Sequence, residues 1–285
     1  LHNLQSIVTF GYTGASPALM GACAKRNIDL TFMSGNGRFL ARVTGEVKGN
    51  VTLRKQQYRV SENKEKSISI AKNFIFGKVY NARWILERAA RDYPLRLDAD
   101  KLKEKSAFLY HSLQEIRACD NASKLLGLEG EAASVYFSVF DQLILQQKES
   151  FFFHERSRRP PLDNVNAMLS FTYSLLAGMC GSALEAVGLD PYVGVYHTDR
   201  PGRMSLALDV LEELRGVMAD RFVLTMINKR IIKKENFIQK ENGAVILDDS
   251  GRKIFLNAWQ EKKQDIIKHP FLNEKMEWGM VPHAQ

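Results

Sequence analysis

The 285-residue sequence predicts an α+β protein: a small amino-terminal β-rich domain followed by a larger, mainly α-helical domain. Three observations carry this. Short runs rich in β-branched and aromatic residues, SIVTF, IDLTFMS and RFLARVTG, crowd into the first 45 residues. Beyond KGNVTLRKQQY, apolar residues recur at helical spacings for most of the chain. A hydrophobic content of 45% is enough to build one large core or two modest ones.

Between the first two strands, SPALMGACAKRN reads as a helix with Ser16 as N-cap and Pro17 at its first position. The glycine-bearing turn SGNGR then reverses the chain into the third strand. The character changes near residues 58–65, which sets the β-rich domain at 1–62 and the helical domain at 63–285. Ile70, Phe74, Val79 and Ile85 mark a helix of roughly seven turns in KEKSISIAKNFIFGKVYNARWILERAARD. A helical stretch ending at KLLG precedes LEGEAASVYFSVFDQLIL, so a new helix is expected to begin around Glu129, between glycines. The breaker-rich HERSRRPPLDN leads into the apolar helix VNAMLSFTYSLLAGMCGSALEAVG. A strand-like run, YVGVYH, then precedes a helix carrying Asp209 and Glu212, and VMADRFVLTMINKRII reads as another helix. AVILDDSGRKIFLNAWQEKK suggests a small hairpin turning at Asp249, Ser250 and Gly251 and running into a helix, and the tail EWGMVPHAQ is expected to fray.

A formal charge of +8, spread along the chain without a basic tail, suits a polyanionic partner, nucleic acid ahead of a membrane surface. The three cysteines, Cys23, Cys119 and Cys180, form no close pair, which favours a reducing, cytoplasmic setting and disfavours zinc fingers. No unbroken apolar run of about 18 residues and no signal-like leader appears. The start LHNLQSIVTFGYTG, already inside a strand pattern, is expected to lack an amino-terminal piece of the β domain.

Asp209 and Glu212 lie three residues apart, on one side of their helix. Such a pair is either a solvated face, with Glu212 or Glu213 paired to Arg215, or part of a site for Mg²⁺ or Mn²⁺, which take oxygen ligands in phosphoryl-transfer enzymes. Glu129 offers a carboxylate from a second element, against the plainer reading of an acid offsetting a helix dipole. His197 could ligate Mn²⁺ or carry a proton, or simply donate to a backbone carbonyl. Arg156, Arg158 and Arg159 occupy a loop closed by two prolines, and Arg200 and Arg203 flank a Pro-Gly turn beside His197; guanidinium groups in such loops suit phosphate oxygens, though solvated loops contain them too. Neither GxxxxGK[ST] nor GxGxxG is present. Two readings remain at this level: a divalent-metal enzyme acting on DNA or RNA, and a basic helical nucleic-acid-binding module without catalytic activity.

Taken in order, LLGLEGEAASVYF, RSRRPPLDNVNAMLSFTYSLL and YVGVYHTDRPGRMSLALDVLEELR resemble the three signature blocks of the CRISPR-associated integrase family, whose members insert new spacers. LTFMSGNGRFLARV and NVTLRKQQY resemble that family's β domain and its link to the helical domain. The resemblance implies a metal held by Glu129, His197 and Glu212, with Asp209 supporting the site and a further candidate ligand. It implies that Arg158, Arg159, Asp163, Asn166, Ser170 and Tyr173 order the site or contact DNA; by their place beside His197, Arg200 and Arg203 are expected to border the cleft. It also implies a homodimer formed through the β domains, a small companion CRISPR-associated subunit, and double-stranded and branched DNA as substrate. The implied chemistry is attack of a DNA 3′-hydroxyl on a phosphodiester, with Mg²⁺ or Mn²⁺ as cofactor. A recombinase-type tyrosine nucleophile, Tyr173 or Tyr196, is the alternative mechanism.

Overall fold

The computed structural model describes residues 4, 6–26, 28–35, 39–45, 51–269 and 272–284. Strands β1 (Ser6–Phe10), β2 (Asp29–Met33) and β3 (Phe39–Val43) form a sheet in the order β1-β2-β3, with β1 parallel and β3 antiparallel to the central β2. The β1–β2 connection is α1 (Pro17–Lys25), whose Ser16 side chain accepts from the Leu19 amide as an N-cap and whose Pro17 lacks the amide that a first turn leaves unpaired. Cys23, Ile28 and Leu30 make a small core under this sheet. The predicted SGNGR turn lies partly outside the described residues.

The helical body follows as α2 (Val51–Glu62), α3 (Lys64–Asp92), α4 (Ala99–Ala118), α5 (Ala122–Phe137), α6 (Asn164–Ala186), α7 (Ser205–Leu214), α8 (Arg221–Asn228) and α9 (Asp249–Lys263). Side-chain caps set several starts: Asn63, Asp98, Asn121, Asp163 and Asp248 each accept from an amide in the first turn of the helix that follows. On the 29-residue α3, buried Ser67, Ala71, Ile75, Val79, Ala82, Leu86 and Ala90 follow the helical period and form the stripe facing the body. Helix α6 is long and apolar enough to cross a membrane by length and composition, yet within the fold it is a core helix, with Met168, Leu169, Leu176 and Cys180 fully buried.

Several local expectations need correction. Glu129 lies in the interior of α5, not at a helix start, because Asn121 caps that helix ahead of both glycines and Gly127 and Gly130 simply continue it. Residues 193–197 pair with no described strand and run irregularly, the amides of Val195, Tyr196 and His197 taken up by the Asp209 side chain and that of Gly194 by Asp199. There is no hairpin turning at Asp249: β5 (Val245–Leu247) pairs backwards with β4 (Phe237–Gln239), and Asp248 caps α9 instead. The tail is anchored as well, since β6 (Ile266–Lys268) pairs with β7 (Lys275–Glu277), and Trp278 and Val281 are buried, Trp278 edge-on to Trp259.

Candidate active site

The site is assembled where α3, α5 and α7 meet. Helices α3 and α7 come close at Gly77, where a Cβ would stand 2.6 Å from Cγ of Glu213. One turn on, Asn81 Nδ2 donates to the Glu213 carbonyl at 2.8 Å and pins the two helices together. This approach carries Lys78 into the interior, where its Nζ pairs with Oε1 of Glu129 on α5 and lies 2.7 Å from Oε2 of Glu212 on α7. The other oxygen of Glu212 accepts from Arg215 Nη2 at 2.7 Å.

Glu212 is only 3% exposed. Burial alone would raise its pKa, but Arg215 and Lys78 outweigh that cost and hold the carboxyl at about 2, so it is ionised at neutral pH. Its Oε2 is buried and makes an ion pair but no hydrogen bond of good geometry. Arg215 begins a turn of π-helix, Arg215–Asp220, inserted between α7 and α8. Its guanidinium lies 4.7 Å from the centre of the Tyr173 ring, and the Tyr173 hydroxyl donates to Asp220 Oδ1 at 2.6 Å.

His197 reaches the site on the irregular segment, which is held at both ends. Upstream, the buried amide of Gln57 on α2 donates to the carbonyls of Asp190 and Val193 and accepts from the Asp190 amide, so the link after the β domain positions this loop. Downstream, Asp209 is fully buried and accepts from the amides of Val195 and Tyr196 at Oδ2, and from the amide of His197 at Oδ1. The same Oδ1 lies 2.7 Å from His197 Nδ1, leaving Nε2 as the outward ring nitrogen. Gly194 is required beneath this arrangement: a Cβ there would come within 2.8 Å of the His197 carbonyl oxygen and of Ser205 Cβ. Tyr196 connects the loop to α5, its hydroxyl donating to Glu129 Oε2 at 3.5 Å.

The second-block residues form a buried relay beside this centre. Asp163 caps α6 through the Asn166 amide, and fully buried Asn166 accepts from Arg156 Nη1 at 2.6 Å and donates to the Glu155 carbonyl. Arg156 also donates to Ser170 at 3.0 Å and lies 5.3 Å from the Tyr173 ring centre. Arg158, Arg159 and Arg200 are exposed, while Arg203 is partly buried and donates to Ser205. Glu129 and Glu212 thus converge on one cation, the Lys78 ammonium; among the described residues no group of three or more His, Cys, Asp or Glu side chains stands close enough to hold a metal. The sequence motifs do not single out Lys78, although a lysine on α3 between buried Ile75 and Val79 is a signal that the sequence contains.

The family described as CRISPR associated protein Cas1 matches residues 1–261. The chain belongs to the Cas1 family. It is 46% identical over 285 residues to a CRISPR-associated endonuclease Cas1 of Chlorobaculum tepidum, covering all of this chain and 83% of that protein. A Cas1 endonuclease of Rhodospirillum rubrum is 50% identical over 289 residues, with the same coverage. Among solved structures, a casposase bound to integration product superposes with a TM-score of 0.85 at 26% identity, over 99% of this chain and 76% of that one. A chain of a partial Cas6-RT-Cas1–Cas2 complex shares the fold, with a TM-score of 0.71 at 22% identity over all of this chain and 82% of that one. Cas1 proteins are catalytic DNA endonucleases and integrases, and metal-dependent DNA integration and cleavage is the family's known function.

Proposed function

We propose that this chain inserts new spacers into a CRISPR array by phosphoryl transfer from a DNA 3′-hydroxyl, using Glu129, His197 and Glu212 as the ligands of Mg²⁺ or Mn²⁺. The observation that carries this reading is the shared ammonium: two carboxylates from different helices hold a positive charge between them, and Glu212 Oε2 is a buried oxygen lacking a good hydrogen bond. Carboxylate oxygens with one imidazole nitrogen are a donor set that Mg²⁺ and, more readily, Mn²⁺ accept. When bound, the ion neutralises the scissile phosphate and activates the attacking oxygen.

The chain's own residues supply alignment and charge. Asp209, with both oxygens already accepting, engages His197 Nδ1 and leaves Nε2 as the ring nitrogen for a metal. Arg215 keeps Glu212 ionised, and its position over the Tyr173 face fixes it in place. Asp163, Asn166 and Ser170, at the start of α6, hold Arg156 against the Tyr173 ring. Exposed Arg158, Arg159 and Arg200, with Arg203, grip the DNA backbone. A tyrosine nucleophile is disfavoured, because burial and the neighbouring acids push the hydroxyls of Tyr173 and Tyr196 well above their ordinary pKa. The protein acts as a homodimer joined through the β domains, with a small companion subunit of the kind present in the Cas1–Cas2 complex.

A strand-joining assay tests this reading. With a labelled 3′-hydroxyl duplex and a repeat-containing plasmid, Mg²⁺ or Mn²⁺ is expected to support covalent joining that a chelator stops. DNA binding without joining under any divalent ion would leave the nucleic-acid-binding module as the better description.

A further inference from the structure

The ammonium of Lys78 occupies a position that the proposed chemistry assigns to another cation. Its side chain is 12% exposed, between Glu129 at 19% and Glu212 at 5%, so it is an interior ion pair and not a surface lysine folded back. The Glu213 side chain lying against Gly77 and the Asn81 bond to the Glu213 carbonyl fix the helix turn that carries it. Two carboxylates, Lys78 and Arg215 make a cluster of zero net charge, with Arg215 serving one Glu212 oxygen and Lys78 bridging the other to Glu129. A divalent ion placed on the same two carboxylates would stand within a few Å of Lys78, where like charges repel strongly in so buried a setting.

The two cations differ in their capacity to leave. Arg215 is held by the Tyr173 ring as well as by Glu212. Lys78 ends a flexible four-carbon stem, donating to Glu129 Oε1 and ion-paired with Glu212 Oε2.

We propose that Lys78 is an internal counter-ion of the catalytic centre: it holds Glu129 and Glu212 together in the metal-free protein and is displaced by the incoming divalent ion, so that metal affinity is set by competition with a residue of the same chain. This rests on the reading of Glu129 and Glu212 as ligands. Without Lys78 the carboxylates would repel one another while awaiting metal; with it they are paired and already on the correct side of α5 and α7. The same pairing weakens the metal, because each binding event must first break the Lys78 ion pairs.

The test compares Mn²⁺ binding at one fixed pH, by titration calorimetry or electron paramagnetic resonance, in the wild-type protein, Lys78→Met and Glu129→Gln. Binding that Glu129→Gln abolishes defines the site. Lys78→Met is expected to bind Mn²⁺ about tenfold or more tightly, since one nearby positive charge has gone. A folded Lys78→Met protein with equal or weaker affinity overturns the counter-ion role while leaving the metal site standing; absence of any binding sensitive to Glu129→Gln overturns both. Should Lys78→Met fail to fold, acylation of lysines in the wild-type protein, read by mass spectrometry, decides the matter. Lys78 labelling is expected to rise on saturation with Mn²⁺, and labelling that does not change would contradict displacement.

Discussion

Asp209 holds His197 twice, accepting from its backbone amide at 2.8 Å and lying 2.7 Å from its ring Nδ1 with the same oxygen. The other oxygen takes the amides of Val195 and Tyr196, so the whole turn is wound around one buried carboxylate. Asp209→Asn keeps the size but sets an NH₂ group against donors. Metal affinity and joining rate are expected to fall by about 10–100-fold, the usual scale for a partner that orients a metal-binding histidine. Parent kinetics in Asp209→Asn would show that this orientation is dispensable.

Gly77 admits α7 against α3. In Gly77→Ala the new methyl meets Glu213 Cγ at 2.6 Å, which forces the helices or the Glu213 side chain to shift. Overpacking of this sort costs about 1–3 kcal/mol. Denaturant unfolding should register that decrease, and the joining rate should fall because Lys78, Glu129 and Glu212 no longer share one point. A variant with parent stability and rate would mean that the close approach is incidental.

The arginines of residues 156–159 divide by burial. Exposed Arg158 and Arg159, changed together to Ala, are expected to lower the slope of log affinity against log salt by about 0.9 for each phosphate that is no longer neutralised, with the fold unaffected. Arg156→Ala should instead reduce stability by about 1–3 kcal/mol, because it strips hydrogen bonds from buried Asn166 and from Ser170. Filter binding across a salt series, paired with melting curves, separates the two.

Glu212 gives the metal-free protein a characteristic acid dependence. Burial opposes its charge, but Arg215 and Lys78 prevail and depress the carboxyl from 4.5 to about 2. A depressed folded-state value means that the associated stability is fully present above about pH 4.5 and is lost as pH falls towards 2. The shift corresponds to roughly 3 kcal/mol. In chelator, the fall in urea stability of the wild-type protein should therefore be steeper in that window than that of Glu212→Gln. Parallel curves would indicate that the pair with Arg215 and Lys78 does not form in solution.

The β-rich beginning and the helical body were legible because runs of β-branched and aromatic residues crowd into the first 45 residues and helical spacings dominate afterwards. Ser16 and Pro17 were likewise readable, since a cap and its helix are neighbours in sequence. What escaped was set by partners distant in sequence. Residues 193–197 look like a strand by composition, but the amides of Val195, Tyr196 and His197 go to Asp209, more than ten residues on. Glu129 is recognisable through the family resemblance, while the glycines around it misplace its helix start; Asn121, the cap that decides the matter, stands in a short polar run, Asp120-Asn121, that reads equally well as a loop. Lys78 acquires its meaning only when α5 and α7 are packed against α3, and no local pattern supplies that.

The central claim is that Glu129, remote in sequence, acts with His197 and Glu212 in one metal-dependent centre. Its most direct test is the joining rate of Glu129→Ala on branched DNA in Mn²⁺, with circular dichroism and duplex binding measured on the same preparation. Glu129→Ala is expected to fold, to bind DNA as well as the parent or slightly better, one negative charge near the phosphates having been removed, and to join no strands. A folded, DNA-binding variant that joins strands at the parent rate would contradict it.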